Sequence, residues 1–176
     1  MQSFVLEKVG IPLSAIRKGK TDFFFDIKPD PAILENNRVY VDIIHVKAVL
    51  SVLGEDVLLK LNVEAQTSLY CDRCGEKFES IVSGHLTTLF TPDPLKIEGA
   101  EGGELRLFDS RASTLDLTPD VTDALILAVP EKLICQESCK GLCSQCGVNL
   151  NRASCTCRKD EIDPRWDALK KLKSDQ

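Results

Sequence analysis

Six of the eight cysteines in this 176-residue chain fall in one stretch, Cys135-Gln-Glu-Ser-Cys139-Lys-Gly-Leu-Cys143-Ser-Gln-Cys146, which continues to Cys155-Thr-Cys157. The other two, Cys71 and Cys74, form a C-x2-C of their own far upstream. Eight thiols make two four-ligand sets only if the chain folds back on itself, and that constrains its fold more than any other feature. Cys-x-x-Cys-Gly occurs twice, as Cys71-Asp-Arg-Cys74-Gly75 and Cys143-Ser-Gln-Cys146-Gly147. In each, the glycine relieves a tight turn that needs positive φ, and amide N–H groups point at the sulfurs. Cysteine sets of this spacing suit zinc, here two ions each held by four thiolates.

Loop closure favours grouping Cys143, Cys146, Cys155 and Cys157, which lie close together in the chain, and leaves Cys71, Cys74, Cys135 and Cys139 as the long-range set. The alternative exchanges the pairs 135/139 and 155/157. Two other uses of the same sulfurs compete. Cys139-x3-Cys143-x2-Cys146 has the spacing of the radical-SAM triad, but that chemistry needs a large α/β barrel, for which the chain is too short. A secreted disulfide framework would also use eight cysteines. Against export, the first residues have no basic segment followed by an apolar run, and no run of 18 uncharged apolar residues occurs anywhere.

The rest of the chain reads as strands. Val39, Val41 and Ile43 alternate with Tyr40 and Asp42, whereas Val46, Ala48, Leu50 and Val52 follow on the other parity, which predicts a bulge near Ile44 and His45. Gly54-Glu55-Asp56 turns the chain. Leu59, Leu61, Val63 and Ala65 then alternate with Lys60, Asn62, Glu64 and Gln66, the pattern of an antiparallel strand with one wet face. Phe78, Val82, Leu86 and Phe90 predict a third long strand leaving the first knuckle. Phe4-Val5-Leu6, the run Phe23 to Ile27, and Leu105, Leu107 and Phe108 predict shorter strands, with a basic turn at Arg17, Lys18 and Lys20. His45 and His85 fall mid-strand and are read as structural.

Between Thr91 and Glu104 proline, glycine and acid predict a mobile loop. Thr118 as N-cap and Pro119 at the first position then start a helix ended by Pro130. Its Val121, Ala124, Leu125 and Ala128 recur at helical spacing, and Ile126, Leu127 and Val129 widen the arc it should lay against the sheet. Asp163 and Pro164 start a last helix, with Trp166, Leu169 and Leu172 within about 120° on one side. The expected architecture is α+β: a mainly antiparallel sheet or barrel-like body with a few helices, and a zinc-bound cysteine-rich C-terminal segment. Residues 1–130 are the β-rich body with the first knuckle and packing helix; 131–176 are the metal-binding tail with its terminal helix.

Charge divides along the same line. Residues 1–130 carry 13 basic against 20 acidic side chains, and residues 131–176 carry 9 against 7. The overall charge of −5 argues against coating nucleic acid by electrostatics alone, so contact with RNA belongs to the tail. There Lys140, Arg152, Arg158 and Lys159 surround the knuckle, and Lys170, Lys171 and Lys173 line the helix that carries Trp166; these eight are the candidate partner-binding residues.

Four segments together resemble the YceD family of large ribosomal RNA subunit accumulation proteins: Tyr70-Cys-Asp-Arg-Cys-Gly-Glu-Lys-Phe78; the helix of residues 115–130; Cys139-Lys-Gly-Leu-Cys-Ser-Gln-Cys-Gly-Val-Asn-Leu-Asn151; and Asp163-Pro-Arg-Trp-Asp-Ala-Leu-Lys-Lys-Leu172. The resemblance implies a binding or assembly factor in the bacterial cytoplasm or a derived organelle. Its partner would be a large ribosomal subunit precursor, through ribosomal RNA, a ribosomal protein or both. It implies no catalytic residue, no small-molecule substrate and no membrane. All-cysteine sites leave no open metal position for water, so binding is expected over catalysis. The remaining alternatives are an iron–sulfur or redox-active cysteine protein, and a zinc adaptor that binds only protein.

Overall fold

The structure is a computed structural model describing residues 8–28, 32–34, 39–98 and 105–157. Its frame is a meander of three 15-residue antiparallel strands, β4 (Val39–Leu53), β5 (Asp56–Tyr70) and β6 (Lys77–Thr91). Gly54, at φ 70°, makes the tight turn that pairs Leu53 with Asp56. The register shift in β4 lies between Val41 and Ile44, where the apolar parity changes in the sequence. In β5, Leu59, Leu61, Val63 and Ala65 are buried and Lys60, Asn62, Glu64 and Gln66 are exposed, so the period-two pattern records one wet face.

Short strands finish the sheet. β2 (Lys20–Ile27) and β3 (Ala32–Leu34) both pair antiparallel with β4, and β7 (Leu105–Leu107) runs parallel to the end of β6. The sheet is open and not barrel-like: its order is β2-β4-β5-β6-β7, and β7, at three residues, is too short to carry the far edge round to β2. A separate pair joins β1 (Gly10–Pro12) to β8 (Thr114–Asp116).

The buried face is covered by α2 (Thr118–Ala128) through Val121, Ala124 and Leu125, each fully buried. Gly84 of β6 allows this approach, since a Cβ there would collide with the Ala124 carbonyl oxygen and come within 2.9 Å of the Ala128 Cβ. The predicted wide apolar arc is used only in part: Val129 packs against the core, but Ile126 and Leu127 are 46% and 74% exposed, because a helix on a sheet buries only a narrow stripe. Nor is Thr118 the N-cap. Leu117 holds that position, the Asp116 carboxylate accepts the Thr118 N–H at 2.9 Å, and the Thr118 hydroxyl accepts the Val9 N–H at 2.9 Å instead. Val129 ends the helix in an extended conformation, as a residue before proline prefers.

The expected loop between Thr91 and Glu104 contains a short helix, α1 (Pro94–Glu98), whose Lys96 ammonium sits 2.7 Å from the Asp56 carboxylate at the hairpin turn. That cross-link gives the turn a partner that proline and glycine content did not reveal. Residues 99–104, the expected strand at Phe4-Val5-Leu6 and the expected helix from Asp163 lie outside the described residues. Among the described residues no helix is long and apolar enough to cross a membrane.

Candidate metal centres

Strands β5 and β6 pair as far as Tyr70 and Lys77, and the knuckle of Cys71 and Cys74 closes that end of the hairpin. The Gly75 N–H donates to the Cys71 carbonyl at 2.8 Å and the Cys71 N–H to the Glu76 carbonyl at 2.9 Å. The second knuckle repeats the pattern: the Gly147 N–H donates to the Cys143 carbonyl and the Cys143 N–H to the Val148 carbonyl, both at 2.9 Å. Gly75 and Gly147 hold φ of 69° and 72°, a region that costs other residues strain.

The chain returns to the first knuckle after α2. The Asp72 N–H donates to the Leu133 carbonyl and the Leu133 N–H to the Asp72 carboxylate, each at 2.7 Å. This reciprocal pair sets Cys135 and Cys139 over Cys71 and Cys74, and the four sulfurs lie within 4.8 Å of one another. Cys71, Cys74 and Cys139 are buried, with Ile134 and Phe78 packed on them; Phe78 also touches the body core. Arg73 donates its guanidinium to the carbonyls of Cys139 at 2.9 Å and Glu137 at 3.2 Å.

Cys143, Cys146, Cys155 and Cys157 form the second group, also within 4.8 Å of one another. Here no cysteine is buried and Cys146 is exposed. The spatial grouping is thus the one with the shorter local loop.

Both groups have the spacing of a tetrahedral ligand shell. Four sulfurs about 2.3 Å from one ion stand about 3.8 Å apart. In the first group Cys71 and Cys139 are 3.9 Å apart and Cys74 and Cys135 3.8 Å. In the second, Cys146 and Cys155 are 3.5 Å apart and Cys143 and Cys155 3.3 Å, slightly contracted. All eight are free thiols, far beyond the roughly 2.05 Å of a disulfide.

Local electrostatics polarise each group. Burial opposes ionisation of Cys71, but backbone N–H groups of Cys135, Cys74 and Arg73 aimed at its sulfur bring it down to about 6. The N–H groups of Cys146 and Gln145 bring Cys143 to about 6. Burial, then the neighbouring sulfurs, pushes Cys135 up to about 12, and the sulfurs of Cys155 and Cys146 push Cys157 to about 12. Four thiols packed together resist full ionisation unless a cation sits among them, so the donor set fits a divalent ion and nothing in the geometry obstructs one.

The candidate partner residues divide. Lys140 is exposed beside Cys139. Arg152 is committed to the Glu76 carboxylate at 2.6 Å, so it clamps the second loop to the first knuckle. Arg158, Lys159, Trp166, Lys170, Lys171 and Lys173 lie outside the described residues. The sequence carries only a faint signal for Asn149 and Asn151, whose amides bond across both knuckles: two asparagines at alternate positions, two and four residues beyond Gly147. It also left His45 without a partner, whereas its Nδ1 lies 2.7 Å from Asp26 Oδ1 on the neighbouring strand. A surface depression of about 540 Å³ lined by Asp42, Gln66, Thr67, Ser68, Glu79, Ser80 and Ile81 contains neither cysteine nor histidine.

The sequence model of the family described as large ribosomal RNA subunit accumulation protein YceD matches residues 59–173. An uncharacterized protein of Mycobacterium tuberculosis is 38% identical over 119 residues, 66% of this chain and 56% of that protein. A protein of Arabidopsis thaliana named large ribosomal RNA subunit accumulation protein YCED homolog 1, chloroplastic, is 26% identical over 168 residues, 80% of this chain and 52% of that protein. A maize protein of the same name is 25% identical over 127 residues, 57% of this chain and 43% of that protein. The chain spans about half the length of the curated relatives it matches. No solved structure matches significantly.

Proposed function

The chain belongs to the YceD family, and from that premise we propose that it acts in the accumulation of large-subunit ribosomal RNA as a zinc-stapled binding protein and not as an enzyme. The observation that carries this reading is that the family match, residues 59–173, takes in both thiol quartets, and each quartet is an all-cysteine set at tetrahedral spacing. Cys71, Cys74, Cys135 and Cys139 would hold one zinc ion, and Cys143, Cys146, Cys155 and Cys157 the other. Four thiolates close the coordination shell, so the ions supply folding free energy and leave no position for a reacting water.

The partner in this reading is a large-subunit precursor particle, met by the tail in the bacterial cytoplasm or a derived organelle. Lys140 is exposed beside the knuckle, whereas the Arg152 guanidinium pairs with Glu76. The other candidate partner charges are those of Arg158, Lys159, Lys170, Lys171 and Lys173. So few charges bind naked RNA weakly and with marked salt dependence, which favours a composite site of RNA and ribosomal protein. The test is co-sedimentation with precursor particles of the chain and of a variant carrying Arg158→Glu, Lys159→Glu, Lys170→Glu and Lys171→Glu. Loss of association, with metal content and fold retained, is the expected result. Unchanged association at physiological salt would move the partner site to the acidic sheet.

A further inference from the structure

We propose that the two quartets are coupled through Asn151, a side chain of the second loop that orients and stabilises a ligand of the first. The inference rests on the reading that each quartet holds a metal ion.

Asn151 lies in the chain between Cys146 and Cys155, so closure of the second quartet positions it. Yet its side chain is turned to the first. Its Nδ2 donates to the Cys139 sulfur at 3.3 Å, while its Oδ1 accepts the Lys140 N–H at 2.8 Å. The two contacts demand opposite ends of the amide and so fix its orientation. Asn149 backs it: the Asn149 Oδ1 accepts the Asn151 N–H at 2.9 Å and its Nδ2 at 3.0 Å, and the Asn149 Nδ2 donates to Glu76 beside the first knuckle at 3.1 Å. Backbone bonds frame the same junction, from the Leu150 N–H to the Gly141 carbonyl at 2.9 Å and from the Leu142 N–H to the Arg73 carbonyl at 3.1 Å. Gly141 is at φ 74°, and a Cβ there would stand 3.0 Å from the Arg73 oxygen, so the two loops meet backbone to backbone.

An N–H donated to a coordinating sulfur stabilises its thiolate and fixes its direction, and partners of this kind change metal affinity by about 10- to 100-fold. Filling the second quartet orders the loop that presents Asn151, so it raises the affinity of the first. By linkage, filling the first raises the affinity of the second by the same factor. Asn151 is therefore a positioning residue for a centre to which it contributes no ligand.

The experiment is a cobalt(II) titration of the full chain, read by thiolate-to-metal absorption and chelator competition. It compares the parent, Asn151→Ala, Asn151→Asp, a Cys155→Ser/Cys157→Ser chain with the second quartet disabled, and that chain with Asn151→Ala added. The parent takes up two equivalents. Asn151→Ala and the disabled chain each weaken the first quartet by about 10-fold, and the combination weakens it no further than the disabled chain alone. Asn151→Asp keeps the shape and the acceptor for Lys140 but loses the donor, and it does not restore affinity. Additive losses, unchanged affinity in Asn151→Ala, or rescue by Asn151→Asp overturns the coupling while leaving two metals in place. Fewer than two equivalents in the parent overturns the metal reading itself.

Discussion

The two quartets each use four cysteines and the same Cys-x-x-Cys-Gly knuckle, yet the first has three buried members and spans Cys71 to Cys139, whereas the second has none buried and spans Cys143 to Cys157. Ligand chemistry is therefore not what distinguishes them. The first joins the tip of the β5–β6 hairpin to the segment after α2, closing a loop that contains β6, α1, β7, β8 and α2. The second closes only its own loop and reaches the body through Glu76, Arg73 and Cys139. In the zinc-stapled reading, one site fixes the fold of the body and the other the shape of a surface built on it.

The sharpest way to break this contrast is to remove one ligand from each site. Cys74→Ser should abolish cooperative unfolding of the body, since structural zinc contributes on the order of 10 kcal/mol to small domains. Circular dichroism and urea titration measure this, and a parent-like midpoint would end the distinction. Cys157→Ser should lose one metal equivalent but cost the body only about 1–2 kcal/mol, roughly the value of the few hydrogen bonds the second loop makes to the first knuckle.

Two changes where α2 packs on β6 sharpen the comparison without touching a sulfur. Gly84→Ala drives a methyl into the Ala124 carbonyl and should destabilise the body by about 1–3 kcal/mol, loosening the first quartet in chelator competition and leaving the second unchanged. Equal loosening of both would show that they respond as one unit. Asp120→Asn should have the smallest effect. The Asp120 carboxylate accepts from the Thr88 hydroxyl at 2.7 Å and lies 3.6 Å from Arg106, but its Oδ2 lacks a hydrogen bond among the described residues, and burial raises its pKa above that of an ordinary aspartate. A raised folded-state pKa means that folding favours the protonated acid. That contribution is present below the unfolded value and is lost as pH rises through the folded one. At neutral pH the neutral amide should leave stability within about 1 kcal/mol or raise it, as denaturant unfolding would measure.

The same contrast explains what could be read from the residues alone. The long strands were legible because one face is wet, which prints a period of two on β5 and a parity change on β4. The local quartet was legible because its ligands are close in the chain. Contacts between distant segments left weaker marks. Three-residue strands such as β1 and β8 have no period to detect, and the hydroxyl of Thr118 was taken for a cap although Val9, far away in sequence, uses it. Ile126 and Leu127 are apolar but exposed, so composition overstated the contact of α2 with the sheet. Arg152 reads in the sequence as free positive charge, but its partner Glu76 is 76 residues away in the chain.

The division of labour between the centres is tested most directly by native mass spectrometry of the full chain during a chelator challenge, with circular dichroism recorded in parallel. Two zinc ions per chain are expected in a colourless protein. The first ion should leave with the body still folded, a step absent from Cys157→Ser, and the second should leave only as the body unfolds. A single ion per chain, an iron-containing coloured protein, or loss of both ions in one step with unfolding would contradict the account.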